Sequence, residues 1–160
     1  MSRKTARRHA FHLVYQIPFH CGDGAQSLAE AKAGYIEFLA DDKSGLDGME
    51  SLKKPQGRDA EYVDKTLWGV FDKQRQLDGV IEKFLTNWTL DRIGKVDLAL
   101  LRLSIYEMLS HDDVPLDVAI NEAVELAKQY GTDESPRFVN GVLSGVSRAI
   151  KEKGRADVAG

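Results

Sequence analysis

Residues 98–109, LALLRLSIYEML, place apolar side chains at Leu98, Leu100, Leu101, Leu103, Ile105, Tyr106, Met108 and Leu109. These positions cover more than one stripe of a helix, and a helix apolar on most of its sides is either central or part of an interface. The segment therefore requires other helices around it. Downstream, Pro115 precedes DVAINEAVELAKQY (residues 117–130), with Gly131 as the closing C′ residue. Ser135-Pro136 reads as a helix start, the serine capping and the proline at the first helical position, and this last helix runs to about Glu152. Upstream, Val63, Leu67, Val70, Leu77, Ile81, Phe84 and Trp88 follow steps of four and three broken at Gln74. That pattern predicts one long helix or two collinear ones between residues 59 and 88. Residues 25–41 and the opening segment from Lys4 to Ile17 are amphipathic as well, and Pro18 stops the first of them.

Together these segments predict an all-α fold of seven helices in two helical subdomains, residues 1–86 and 90–152, sharing one core. The tail, 153–160, has little to pack and is expected to be disordered. The stretch from Asp42 to Gly57, with three glycines and Pro55, is loop chemistry. Gly141 and Gly145 lie one turn apart inside the last helix, where each costs up to about 1 kcal/mol relative to alanine; close approach of another helix is the expected reason. Composition agrees with one globular domain: 160 residues, 42% apolar and 29% charged, are enough to bury a core.

Several chemistries are excluded. The single cysteine, Cys21, has no partner for a disulfide or a zinc pair, which points to a reducing compartment, the cytoplasm. The basic opening followed by AFHLVYQIPF resembles a signal peptide, but His12, Gln16 and Pro18 interrupt it and no small-residue cleavage site follows. No apolar run approaches the roughly 18 residues of a membrane span. Phosphate-binding loops, dinucleotide fingerprints and nucleophile elbows are missing, so no cofactor and no enzymatic activity are expected. His9 and His12 could share a metal with His20 or Cys21, yet no fourth ligand stands at the usual spacing, and no metal is expected. Glu107 with Asp112 and Asp113, and Glu122 with Glu125, read as solvated helix faces.

The net charge of -3 hides an uneven distribution: Arg3, Lys4, Arg7 and Arg8 all precede the first acidic residue, Asp23. On a helix Arg3 and Arg7 are one turn apart, as are Lys4 and Arg8, making a two-row patch about 7 Å long that suits the spacing of phosphates. Cations at a helix N-terminus oppose the macrodipole at a cost of a few tenths of a kcal/mol each, an arrangement that an anionic partner would offset. Tyr15 or Phe11 could offer a ring for base stacking, and His9, His12 and His20 could add charge below neutral pH. From these residues alone, an RNA grip and a solvated, frayed terminus stand level.

Three segments shift that balance. TARRHAFHLVYQ (5–16), VDLALLRLSIYEML (96–109) followed by DVPLDVAINEAVELAKQYG (113–131), and RFVNGVLSGV (137–146) resemble, in order and spacing, the opening helix, central signature and closing helix of the NusB family. The resemblance implies a NusB-like fold and a transcription antitermination factor. Such a factor binds the single-stranded boxA element of nascent ribosomal RNA transcripts together with NusE, a small-subunit ribosomal protein, and through it joins the RNA polymerase antitermination complex. By position it implies that Arg3, Lys4, Arg7 and Arg8 form the RNA-binding motif and that Arg137 and Phe138 form a second RNA-facing position. It also implies that NusE docks on the second half, where Leu101, Ile105 and Met108 represent the excess apolar surface. Thr5 stands where relatives often carry a further arginine, which implies weaker RNA binding or more reliance on the partner. Monomers and homodimers both occur in the family, and the sequence leaves both open. Similar domains form the RNA-binding front end of ribosomal RNA cytosine methyltransferases; residues up to Gly160 hold no methyl-donor domain, so that reading is not expected. A helical adaptor that assembles proteins without touching RNA is the remaining alternative.

Overall fold

Helices account for most of the computed structural model, which describes residues 3–20, 24–40, 56–86 and 89–160. In chain order they are α1 (Arg3–Tyr15), α2 (Gly24–Ala40), α3 (Arg58–Asp72), α4 (Gln74–Lys83), α5 (Lys95–Ser110), α6 (Leu116–Tyr130), α7 (Ser135–Lys153) and α8 (Arg155–Ala159), with 3₁₀ turns at Ile17–His20 and Leu90–Arg92. The all-α class follows, with no strand among the described residues. Most of the predicted loop from Asp42 to Gly57, Cys21 and Trp88 lie outside the described residues. Two compact units divide the chain, one ending at Leu67 and the other beginning at Trp68, so the division falls inside α3.

In the first unit, the apolar positions of α1 at spacings of three and four, Ala6, Ala10, Leu13, Val14 and Ile17, are all buried, as are Leu28 on α2 and Val63 and Leu67 on α3. An ion pair between Lys32 and Asp64 ties α2 to α3. His9 is fully buried, and its Nδ1 shares a 2.9 Å hydrogen bond with the Tyr35 hydroxyl. His12 lies against the same aromatic group, with ring centroids 6.1 Å from Tyr35 and 5.5 Å from Phe11. Burial pushes its pKa from 6.5 down to about 4, and the charges of His9 and Arg8 act in the same direction.

The second unit is built around α5. Every residue from Ala99 to Met108 is buried, and α4, α6, α7 and α8 all pack on this helix. Its buried Arg102 is matched by Asp78 of α4: Nε donates to Oδ1 and Nη2 to Oδ2, both at 2.8 Å. Such a two-pronged pair keeps a desolvated guanidinium satisfied, and removing one partner alone would leave a buried charge unmatched. Lys73 breaks the helical run between α3 and α4, so the second of the two predicted arrangements, two helices, is the one adopted.

Four local expectations change. Ser135 does not cap α7 from outside; it is the first helical residue, Pro136 is second, and the Ser135 hydroxyl accepts the Thr132 N–H at 3.0 Å. Gly131 closes α6 without a left-handed conformation, at φ -94°; glycine is needed there because a Cβ would lie 2.5 Å from Ser135. Gly145 is approached closely, by the Phe84 ring, whereas Gly141 faces open space. The tail is ordered after all: α7 breaks at Gly154, whose φ is 90°, and α8 buries Val158, donates from Arg155 Nε to the Met108 carbonyl at 2.8 Å, and accepts from Gln76 Nε2 at the Ala159 carbonyl. Its one large apolar residue finds a place against α4 and α5, a contact that sequence periodicity over five residues cannot reveal.

Two predictions follow from this packing. A Cβ at Gly69 would fall 2.2 Å from the Tyr106 ring, whereas Gly79 has nothing within 4 Å. Urea unfolding should therefore show Gly69→Ala destabilised by about 1–3 kcal/mol and Gly79→Ala neutral or stabilised by up to about 1 kcal/mol. Because His12 titrates lower in the folded chain than in the unfolded one, its contribution to stability is present above pH 6.5 and is lost as pH falls toward 4. The loss has a limiting slope of about 1.4 kcal/mol per pH unit, so His12→Gln should show a flatter stability profile across that window than the parent chain; parallel profiles would refute the assignment.

Candidate nucleic-acid interface

The first two turns of α1 contain no acidic residue, and their four cations do not share one environment. Lys4 is exposed and Arg3 and Arg8 are half-buried, but Arg7 is buried at 4% exposure. Tyr62 on α3 faces two of them. Its ring lies 4.5 Å from the Arg3 guanidinium carbon and 6.0 Å from that of Arg7. Cation–π contact of this kind is worth about 0.5–2 kcal/mol and uses the face of the guanidinium, leaving its N–H donors along the edge. The two-row patch read from helical spacing is thus corrected: Arg3, Lys4 and Arg8 form the accessible cationic face, while Arg7 belongs to the packing between α1 and α3.

The rings of this helix are also sorted by burial. Phe11 is in the core and Tyr15 is half-buried, with ring centroids 6.4 Å apart. Of the histidines expected to add charge below neutral pH, His9 is wholly buried and His12, with its pKa pushed down to about 4, stays neutral well below pH 7. His20 lies on a turn whose side chain is not described.

A second feature lies at the start of α5 and α7. A cleft of about 350 Å³ is lined by Arg92, Ile93, Gly94 and Asp97 on one side and Thr132, Glu134, Arg137 and Phe138 on the other. Phe138 and Ile93 are half-buried and supply an apolar floor; Arg92, Arg137 and Glu134 are exposed at the rim. Thr132 and Ser135 hold the α6–α7 turn, and this turn sets Arg137 and Phe138 opposite the segment that enters α5. Arg137 and Phe138 are therefore neighbours in one cleft. Sequence reasoning missed Arg92, Asp97, Thr132 and Glu134, whose only signal is that they stand beside helix starts.

Leu101, Ile105 and Met108 were expected to face a partner, and this is corrected: each has 0% exposure. Their apolar surface is consumed by the helices packed around α5. Among the described residues, the large apolar side chain that is exposed is Val118, on α6. Among the described residues no group of three histidine, cysteine, aspartate or glutamate side chains is placed to hold a metal, and no helix is long and apolar enough to cross a membrane.

Residues 4–148 match the NusB family. A transcription antitermination protein NusB from Bacillus pumilus is 37% identical over 153 residues, covering 96% of this chain and the whole of that one. The corresponding protein of Acetivibrio thermocellus is 42% identical over 146 residues, covering 91% and 88%. Among solved structures, T. maritima NusB superposes with a TM-score of 0.73 at 28% identity over 99% of this chain and 96% of that one. A complex of the antitermination factors NusB and NusE with double-stranded RNA aligns with a TM-score of 0.70 at 26% identity, covering 92% and 96%.

Proposed function

This chain is a member of the NusB family, and on that footing we propose how its own residues serve transcription antitermination. The protein is an RNA-binding antitermination factor whose partners are RNA and NusE, as in the related complex. The observation that carries the residue assignment is the accessible cationic face of α1, Arg3, Lys4 and Arg8, on a first turn free of acidic residues. Charges so placed engage phosphates, which position RNA without reading it. Sequence-dependent contacts then belong to side chains that can stack on or hydrogen-bond unpaired bases. Phe138 is the candidate for stacking in the second unit, with Arg137 at its side, and Tyr15 is the candidate on α1. The RNA in this reading is a single-stranded, boxA-like element of ribosomal RNA transcripts, the compartment is the cytoplasm, and the two units act as one domain. NusE docks on exposed residues of the second unit, outside the buried Leu101, Ile105 and Met108.

Salt dependence tests the assignment. Three phosphate contacts imply a log–log slope of about -2.1 for single-stranded RNA, against about -2.8 if Arg7 also made one. Measured with a boxA-like strand, a scrambled strand and a duplex, with and without NusE, binding should favour the boxA-like single strand and show the shallower slope. Lys4→Ala should reduce the slope by about 0.7, and Phe138→Ala should weaken binding about tenfold through lost stacking. Equal binding of boxA-like and scrambled strands, with no salt slope, would overturn the reading in favour of a protein-only adaptor.

A further inference from the structure

Against the cations of α1 lies an uncharged residue of another helix. Tyr62 on α3 is 3% exposed, so packing fixes its ring and leaves it almost no surface for a ligand. The Arg3 guanidinium carbon lies over that ring at 4.5 Å from the centroid, well inside the roughly 6 Å limit of a cation–π contact. Arg7 stands at that limit, at 6.0 Å, and is itself buried. Arg3 is only half-buried, and a guanidinium seated by its face on a ring keeps its N–H donors along the edge, where they can meet a phosphate. An arginine that nothing holds samples many rotamers and loses that freedom on gripping a phosphate, which weakens binding. Lys4, one residue on, is exposed and provides the contrast. An aromatic ring fixed in the core, under a cation that reaches solvent, describes a support for that cation.

We infer that Tyr62 is a positioning residue of the RNA interface: it holds the Arg3 guanidinium in place before RNA arrives, and through Arg3 it strengthens the grip on one phosphate. This rests on the RNA-binding reading above. Tyr62 itself touches no RNA. Its contribution comes from the electron-rich face of its ring, which attracts a cation where an aliphatic side chain does not. That contribution also depends on Arg3 being present. Two side chains that act through one contact are not additive, so loss of the ring is felt in a chain that has Arg3 and not in one that lacks it. A role confined to the packing of α1 on α3 gives the opposite pattern, the same loss with or without Arg3. Lys4 supplies the control, because its phosphate contact is independent of the ring.

The test measures binding of a fluorescently labelled boxA-like single strand to the intact chain over a salt series. Arg3→Ala should weaken binding and lower the log–log slope by about 0.7. Tyr62→Leu, which keeps an apolar side chain in the core, should weaken binding about threefold to tenfold. It should have no further effect in the Arg3→Ala chain and its full effect in the Lys4→Ala chain. Tyr62→Phe, which keeps the ring, should bind within about twofold of the parent. If Tyr62→Leu fails to fold by circular dichroism, replacement of Tyr62 by phenylalanine and by pentafluorophenylalanine decides, since fluorine withdraws charge from the ring face and keeps the ring. The fluorinated ring should then bind RNA more weakly than the plain one when Arg3 is present and equally when it is not. Salt-dependent binding in which Arg3→Ala or the loss of the ring face changes nothing overturns this inference and leaves the RNA-binding reading standing. So does an equal loss in the Arg3→Ala chain and the parent, which gives Tyr62 a structural role only. Absence of salt-dependent binding by the parent chain overturns the RNA-binding reading and this inference with it.

Discussion

Ten consecutive residues of α5, from Ala99 to Met108, are withdrawn from water, and a helix can be buried on all sides only if other helices enclose it. The organisation of the second unit follows from that requirement. α4, α6, α7 and α8 each supply part of the enclosure. Three polar residues, Arg102, Ser104 and Glu107, interrupt the apolar surface, and Arg102 is tolerated because Asp78 meets it with both carboxylate oxygens. Where enclosure is tightest the backbone gives way: glycine at position 69 admits the Tyr106 ring, and glycine at 145 admits the Phe84 ring. A core of this density holds the ends of its helices in place, and the cleft sits at one such end.

Electrostatics in the first unit is organised by one aromatic residue. Without Tyr62, four cations on two turns of helix would repel one another in solvent. Its ring lies against the Arg3 guanidinium and, farther off, that of the buried Arg7, while Lys4 is exposed. Holding a guanidinium before its ligand arrives lowers the side-chain entropy lost on binding. Burial holds His12, on the inner side of the same helix, neutral near pH 7.

The cleft of the second unit depends on the short α6–α7 connection. Gly131 allows Ser135 to approach, the Ser135 hydroxyl accepts the Thr132 N–H, and the first turn of α7 lines the cleft at the entry to α5. Arg137 and Phe138 are placed by that turn, Arg92 by the 3₁₀ turn that precedes α5 and Asp97 by the first turn of α5. Functional side chains at the starts of rigid helices are positioned more firmly than side chains on long loops.

The helical class, the positions of the main helices and the cationic opening were legible in the sequence because each depends on local periodicity or on charges close together along the chain. Helical spacing identified which residues of α1 are buried, and three ordered segments carried the resemblance to the NusB family. Burial of individual polar and apolar groups was not legible. A basic side chain looks the same in sequence whether packing buries it, as with Arg7, or solvent surrounds it, as with Lys4. The apolar excess of Leu101, Ile105 and Met108 fitted a central helix and an interface equally well, and only the presence of enclosing helices decides between them. The small helix at 155–159 and the alignment of Asp97 with Phe138 also required the tertiary structure, since both arise from segments far apart in the chain. Sequence by itself determined what is set by neighbours within a turn or two; tertiary structure decided which of those side chains meet water and which meet each other.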